Sequence, residues 1–375
     1  MTDPSPIRLL DLGLVPPVRS QTIYHAVAYA LDETTPDTLI LVAPTEPYVS
    51  IGFHQELEKE VDAEFCRRRG LPVVRREAGG GAVLLDRHQV FMQWVFHDHA
   101  LPRRLEERFA LYARPLVETY RALGIPATYR PINDVHVNGR KIGGTGAAQI
   151  GQAEVVVGSL MFDFDHALMA QVIRVSSEKM RDKVTQSLDE YLTTMKRQLG
   201  EAPDREKVVT IYLEQMQAAL GRPIVAGELT TRELALAEAL DQKFVSDEWL
   251  YQPSGLRQVG IKVHQDVRVA EAALKTPGGL VRVTARLHQG RIDDVTLSGD
   301  FAMLPRTAPG MLESALRGAP LEAGTIRARL DAVYEREAIE APGVTPTDIT
   351  SVVLLLEDAQ AGRPDGVPKA DEAKK

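Results

Sequence analysis

The 375-residue sequence holds one cysteine, Cys66. A single thiol excludes a disulfide within the chain and a metal centre built from several cysteines. Positive charge is not in excess: 44 Lys and Arg stand against 52 Asp and Glu, a net charge of −8. That argues against general nucleic-acid binding, which needs a basic face, and leaves room for a local basic pocket. No run of 18 apolar residues occurs, so no membrane-crossing helix is expected. The opening residues, MTDPSPIRLL, lack the basic and long apolar regions of a secretory leader, so the expected location is the cytoplasm. Two nucleotide signatures are missing as well. There is no G-x-x-x-x-G-K-[ST], and GGTGAAQIG at 143–151 departs from G-x-G-x-x-G.

What is present is a soluble globular composition, 44% hydrophobic and 26% charged, in a chain long enough for two domains. Helix-like and strand-like segments alternate through the first part. Residues 19–32 read as a helix, and 37–44 and 48–55 as strands. In 56–70 the apolar spacing of Leu57, Val61 and Phe65, with Gly70 as a stop, reads as one amphipathic helix. Strands are expected at LPVVRRE, AVLLD, QVFMQWVFHD and 153–164, and a long helix over 103–123. DVHVNGRKIG is the clearest hairpin, because Asn138-Gly139 suits a type I′ turn with positive φ at both central residues. Residues 166–220 read as mostly helical, and a three-strand meander with covering helices begins near 258. The expected division is a larger unit over 1–225, a linker over 226–257, a small α+β module over 258–358 and a tail over 359–375. The tail is poor in apolar side chains and expected to be disordered.

Three segments carry chemistry. The first is RREAGGGAVLLD, 75–86. Arg76 offers planar donors to a phosphate or carboxylate, and Gly79, Gly80 and Gly81 allow backbone N–H groups to approach an anion. The same pattern also fits a plain Gly-rich connection. The second is NDVHVNGRKIGGTGAAQ, 133–149. Lys141 leaves the hairpin turn into a tract of small residues, where an ammonium could stabilise charge on an acyl oxygen. Asp134 could hold Mg²⁺ beside phosphates, or both could be solvated hairpin residues. The third is Cys66, on a helix before three arginines, with no base in sight; a structural role is expected. His97 and His99 lack a third ligand, so they read as loop residues.

In this order and separation the segments resemble the lipoate–protein ligase family, within the wider group of biotin ligases and octanoyltransferases. The shared residues are Arg75-Arg76, Gly79-Gly80-Gly81-Ala82-Val83, Asp86, Asn133-Asp134 and Gly139-Arg140-Lys141-Ile142. KFVSDEWLY at 243–251 and LSGDF at 297–301 resemble the family's accessory domain. The resemblance implies an α+β fold: a large domain with mixed sheets flanked by helices, and a small accessory domain. It implies an ATP-dependent ligase that activates lipoate, or octanoate, as an acyl-adenylate and passes it to a lysine of an acceptor protein. Arg76, Gly79, Gly80, Gly81, Ala82, Val83, Leu84 and Lys141 would bind ATP and the adenylate. Arg76, Gly80, Lys141, Gly144 and Gly158 would bind lipoate, with Lys141 catalytic and Asp134 holding Mg²⁺. Residues 176–187 resemble a loop that closes over the adenylate. The implied acceptor is an H protein, an E2 lipoyl domain or a lipoate-carrier protein, served by a monomer.

The chain departs from the family at Ala78, Leu85, His88-Gln89 and Val157-Gly158. Two alternatives stay open: an ATP-independent octanoyl or lipoyl transferase, and a non-catalytic lipoate-binding module. The transferases carry the acyl group on a cysteine near the hairpin or the final strand, where this chain has none. They also usually lack an accessory module. Both features favour the ligase as the sequence-based expectation.

Overall fold

A computed structural model describes residues 5–175, 177–252 and 267–359. The chain divides into two compact units, Met1–Gln252 and Pro253–Lys375.

The first unit is built on an eight-stranded mixed sheet. Its strands are β1 (Ile7–Val15), β2 (Thr38–Pro44), β6 (Gln89–His97), β7 (Ala127–Arg130), β8 (Asp134–Val137), β9 (Arg140–Ile150), β10 (Ala153–Met161) and β11 (Ile224–Ala226). The order is β11-β1-β2-β6-β10-β9-β8-β7, with β1 parallel to both its neighbours and the remaining pairings antiparallel. Every residue of β6 except His97 is buried, so its side chains alternate between two covered faces. Trp94 meets Tyr112 of the helix Leu105–Ala122 and donates to the Tyr212 hydroxyl of the helix Arg205–Leu220. Gln93 points the other way and donates to the Ser20 carbonyl on the helix Pro17–Ala30.

A second sheet of three short strands, β3 (Tyr48–Ile51), β4 (Val73–Arg75) and β5 (Val83–Leu85), runs in the order β4-β3-β5. Strand β4 is parallel to β3, and β5 is antiparallel to it. The connection from β4 to β5 must therefore cross the end of β3, and that connection is the glycine tract.

Residues 56–70 form two helices, Leu57–Glu60 and Ala63–Arg69, where the periodicity predicts one. Val61 is extended and bridges to Ile173, and the Asp62 carboxylate restarts the helix by accepting from Phe65 N at 2.8 Å. The hairpin keeps its expected turn, with φ of 50° at Asn138 and 81° at Gly139.

The stretch read as a linker does not hang free over its described part. A capping box of Thr230 and Glu233 starts the helix Thr231–Phe244, whose Ala237, Leu240 and Phe244 enter the same core as Ile23 and Val27. Arg19 binds Asp241 at 2.6 Å across that contact. Residues 253–266 and 360–375, with most of the expected tail, lie outside the described residues.

In the second unit an antiparallel meander of β12 (Val267–Thr276), β13 (Gly279–His288) and β14 (Arg291–Gly299) is accompanied by the helices Ala308–Leu316, Ala323–Arg336 and Pro346–Leu354. These elements share a core of their own around Val283, Val295, Leu312 and Val353. The fold class is α+β, as expected. No helix among the described residues is long and apolar enough to cross a membrane.

Candidate active site

A cavity of about 320 Å³ opens between the glycine tract and strands β6, β9 and β10. That is within the common range for small-molecule sites, about 300–1,000 Å³. Arg76, Gly79, Gly80, Gly81, Ala82, Val83, Leu84, Lys141, Gly144 and Gly158 all lie on its wall, so residues far apart in sequence meet at one place.

Arg76 does not stand in the cavity as a free cation. Its Nε and Nη2 donate to the Gly79 carbonyl at 3.2 and 2.8 Å, and Nη2 also reaches the Gly81 carbonyl at 2.8 Å. Its Nη1 donates to the Ser50 carbonyl and hydroxyl at 3.0 and 3.3 Å. The guanidinium fork is filled by the loop that it props open. Burial holds its pKa below the usual arginine value. Arg75, 0% exposed, is spent in the same way on carbonyls of Gly52, Phe53, Gln55, Trp249 and Leu250. Glycine is required where the loop crosses β3. Gly80 has φ of +92°, and a Cβ on Gly52 would run into the Gly80 carbonyl oxygen.

Lys141 is the cation that remains. Its Nζ lies 2.7 Å from Asp134 Oδ1, with the lysine side chain 28% exposed. A Cβ on Gly144 would sit 2.8 Å from that Nζ, so the missing side chain is the room the ammonium occupies. Asn133 fastens the strand behind it: Asn133 Nδ2 donates to the Thr145 carbonyl at 2.6 Å and Thr145 N to the Asn133 carbonyl at 2.9 Å. The remaining carboxylate oxygen, Asp134 Oδ2, accepts from the Tyr191 hydroxyl at 3.4 Å and lies 3.5 Å from His136 Nε2.

Sequence reasoning missed much of the apolar wall. Phe91, Met161, Phe164, Met169, Leu188 and Leu192 line it, the last two from or just beyond the helix Glu178–Tyr191. It also missed Gln89 and Gln93. Their spacing with Phe91 on a buried strand was the available signal, since alternate residues share a face. Gln93 is 1% exposed, and its Oε1 has no hydrogen-bond partner among the described residues.

Cys66 is buried in a core with Val61, Leu71 and Val172 and is not on the cavity wall. His97 is held by Asp37, with Nδ1 2.9 Å from Oδ1. No group of three or more His, Cys, Asp or Glu among the described residues could hold a metal ion.

A Mg²⁺–triphosphate does not fit the residues present. No aspartate or glutamate among the described residues lines the cavity, and Asp134 is committed to Lys141. Mg²⁺ wants one or two free carboxylates beside phosphate oxygens. The donors of Arg76 are already taken by the loop.

Comparison with known proteins agrees on the fold and corrects the activity. Octanoyltransferase LipM of Kyrpidia tusciae is 31% identical over 271 residues, 65% of this chain and 98% of that protein. Relatives from Geobacillus kaustophilus, Staphylococcus aureus and Bacillus subtilis carry the same name. The bipartite lipoate protein ligase of Thermoplasma acidophilum shares the fold, with a TM-score of 0.61, 23% identity, and coverage of 68% of this chain and 100% of its own. LipL1 of P. falciparum, solved with lipoate, gives a TM-score of 0.67 at 12% identity over 93% of this chain and 99% of its own. The expectation of an ATP-dependent ligase is overturned by these curated relatives, which are named as transferases. The accessory module misled because its presence was read as favouring a ligase. Lys141 and the glycine loop did not discriminate, because a cation beside a glycine loop is compatible with either reaction. The description Lipoyl protein ligase A/B catalytic domain matches residues 19–217, and with a glycine loop, a hairpin lysine and an apolar cavity assembled inside that span, the chain belongs to this family of enzymes.

Proposed function

We propose that the first unit is an ATP-independent acyltransferase that moves an octanoyl-type group from an activated donor to a lysine of an acceptor protein. The observation that carries this reading is an apolar cavity in which Lys141, held 2.7 Å from Asp134, is the cation on the wall that the glycine loop does not engage. The walls suit a straight hydrocarbon chain. The ammonium suits the acyl oxygen, where negative charge develops during transfer. The named activity of the relatives supplies the acyl class.

Without ATP the acyl group must arrive already activated, and a thioester is the chemical class that meets this need. Lys141 receives the carbonyl oxygen. Asp134 fixes the ammonium, and Gly144 leaves it space. Gly79–Gly81 form the wall opposite β9 and β10. The Thermoplasma ligase was described together with its E2 lipoyl domain, which supports a lipoyl domain as the acceptor. A lipoyl group is the second acyl class that the same cavity would take, given the lipoate-bound LipL1 of similar fold.

The test is acceptor mass. Purified protein, an octanoyl thioester and an apo-lipoyl domain are mixed without nucleotide. The acceptor is expected to gain one octanoyl group on a lysine. An acceptor that stays unmodified until ATP is added would contradict the reading.

A further inference from the structure

The site has a place for an acyl group but no side chain fit to carry it. No histidine, cysteine, aspartate or glutamate among the described residues lines the cavity. Three aliphatic hydroxyls do. Thr145 donates to the Asn133 carbonyl at 3.2 Å, Ser159 donates to Gln89 Oε1 at 3.3 Å, and Ser50 receives Arg76 Nη1 at 3.3 Å. A nucleophilic hydroxyl needs a base in hydrogen-bond reach, and amide oxygens and a guanidinium are not bases. The phenols of Tyr24 and Tyr191 also line the cavity, but burial holds both pKa values above the usual tyrosine value, and the Tyr191 hydroxyl reaches Asp134 only at 3.4 Å. Lys141 is unsuited too. Its Nζ is held by Asp134 at 2.7 Å, and an amide formed there would be as stable as the product.

The chain's one thiol is elsewhere. Cys66 is 1% exposed in the core beside Leu84 and Met169, whose side chains reach the cavity while its own does not. Burial, with Asp62 adding to it, pushes the thiol up to about 11, so little thiolate forms at neutral pH.

We infer that transfer in this protein is a single displacement, in which the acceptor lysine attacks the donor thioester while both are bound and no acyl group rests on the enzyme. This rests on the acyltransferase reading and adds the order of its steps. The neutral ε-amine nitrogen of the acceptor bonds to the carbonyl carbon. The C=O electron pair moves to oxygen, and that oxyanion faces Lys141 Nζ. Collapse breaks the C–S bond, and the proton shed by nitrogen passes to the departing thiolate. The products are one amide and one thiol, with no net redox change and no co-reactant.

Two measurements on the full-length protein decide it. Initial rates are taken with octanoyl thioester and apo-lipoyl domain both varied. Intact mass is taken on protein quenched after exposure to octanoyl thioester alone. Intersecting reciprocal plots and an unshifted protein mass are expected. Cys66→Ala is expected to keep kcat/KM within about twofold of the native value. Parallel plots together with an octanoyl adduct on the protein, on Cys66 or on a cavity hydroxyl, would overturn the single displacement and leave the acyltransferase reading intact. Absence of any ATP-free transfer would overturn both. Should Cys66→Ala fail to fold, the kinetic pattern and mass of the native protein still decide.

Discussion

Lys141 and Asp134 make one functional group from two side chains. In the proposed transfer the ammonium serves only where the acyl oxygen would be, and the 2.7 Å contact with Asp134 fixes its place. Replacing Lys141 with Met keeps the length and removes the charge. It is expected to lower kcat for acyl transfer by about 10²–10³, the range seen when one oxyanion donor is lost, with a much smaller change in KM. Asp134→Asn leaves the ammonium in place but loosens it, and about a tenfold loss is expected. Steady-state kinetics on both variants check this, and equal losses in kcat and in folded fraction would reduce the pair to a structural role. At this scale the sequence was readable in part. That Lys141 and the glycines share one cavity could be read, because their motifs stand out in sequence. The part played by Arg76 could not, because an arginine that grips an anion and one that grips its own loop look alike in sequence. The difference lies in the Gly79, Gly81 and Ser50 carbonyls that fill its donors.

The glycine loop is the element on which the cavity depends. It crosses β3 at Gly52, where there is no room for a methyl group. Gly52→Ala must push the Gly80 carbonyl away and with it the cavity wall. A destabilisation of about 1–3 kcal/mol is expected, as for other overpacking changes, read as a lower urea midpoint together with weaker acyl binding. Unchanged acyl affinity would separate the loop from the site. The same turn after β3 contains His54, 8% exposed, whose pKa is pushed down to about 3 by burial and then by Arg75. The sign follows from linkage. The folded value lies below the unfolded value of about 6.5, so unfolding takes up a proton at acid pH. This contribution to stability is whole above about pH 6.5 and is lost as pH falls toward 3. Urea midpoints measured at pH 7 and pH 5 are expected to differ less in His54→Gln than in the native protein. An unchanged difference would mean that His54 is not the group responsible. Strands, hairpin and helices were legible because their periods and turn residues are local. The break at Val61 was not, since it depends on a bridge to Ile173, more than a hundred residues away.

At the scale of the molecule, the cavity wall is drawn wholly from residues 21–192, inside the first unit. That unit has its own cores, and the second unit has another. A chain ending at Gln252 is therefore expected to fold and to retain acyl transfer, since separate cores mark parts that can fold alone. Circular dichroism melting and the acceptor-mass assay check this. A folded but inactive fragment would assign the second unit a part in catalysis. The chain divides into two units after Gln252, and the change of texture in the sequence falls near 258. The helix Thr231–Phe244 is polar along much of its length, and its contacts with the helix Pro17–Ala30 and the Arg8–Glu233 pair to β1 show that it belongs to the first unit. The choice between ligase and transferase was not legible. In the proposed reading the cation, the glycines and the apolar wall serve the acyl oxygen and chain, which both reactions share. What differs is how the acyl group was activated before it arrived.

That difference can be measured in one tube. The protein is given an apo-lipoyl domain, unlabelled octanoyl thioester, and carbon-13-labelled free octanoate with Mg²⁺ and ATP. Product mass reports which donor was used. The acceptor is expected to carry unlabelled octanoyl groups, with labelled product no higher than in a control lacking ATP. Labelled octanoyl entering the acceptor, in amounts that rise with ATP, would contradict the ATP-independent reading.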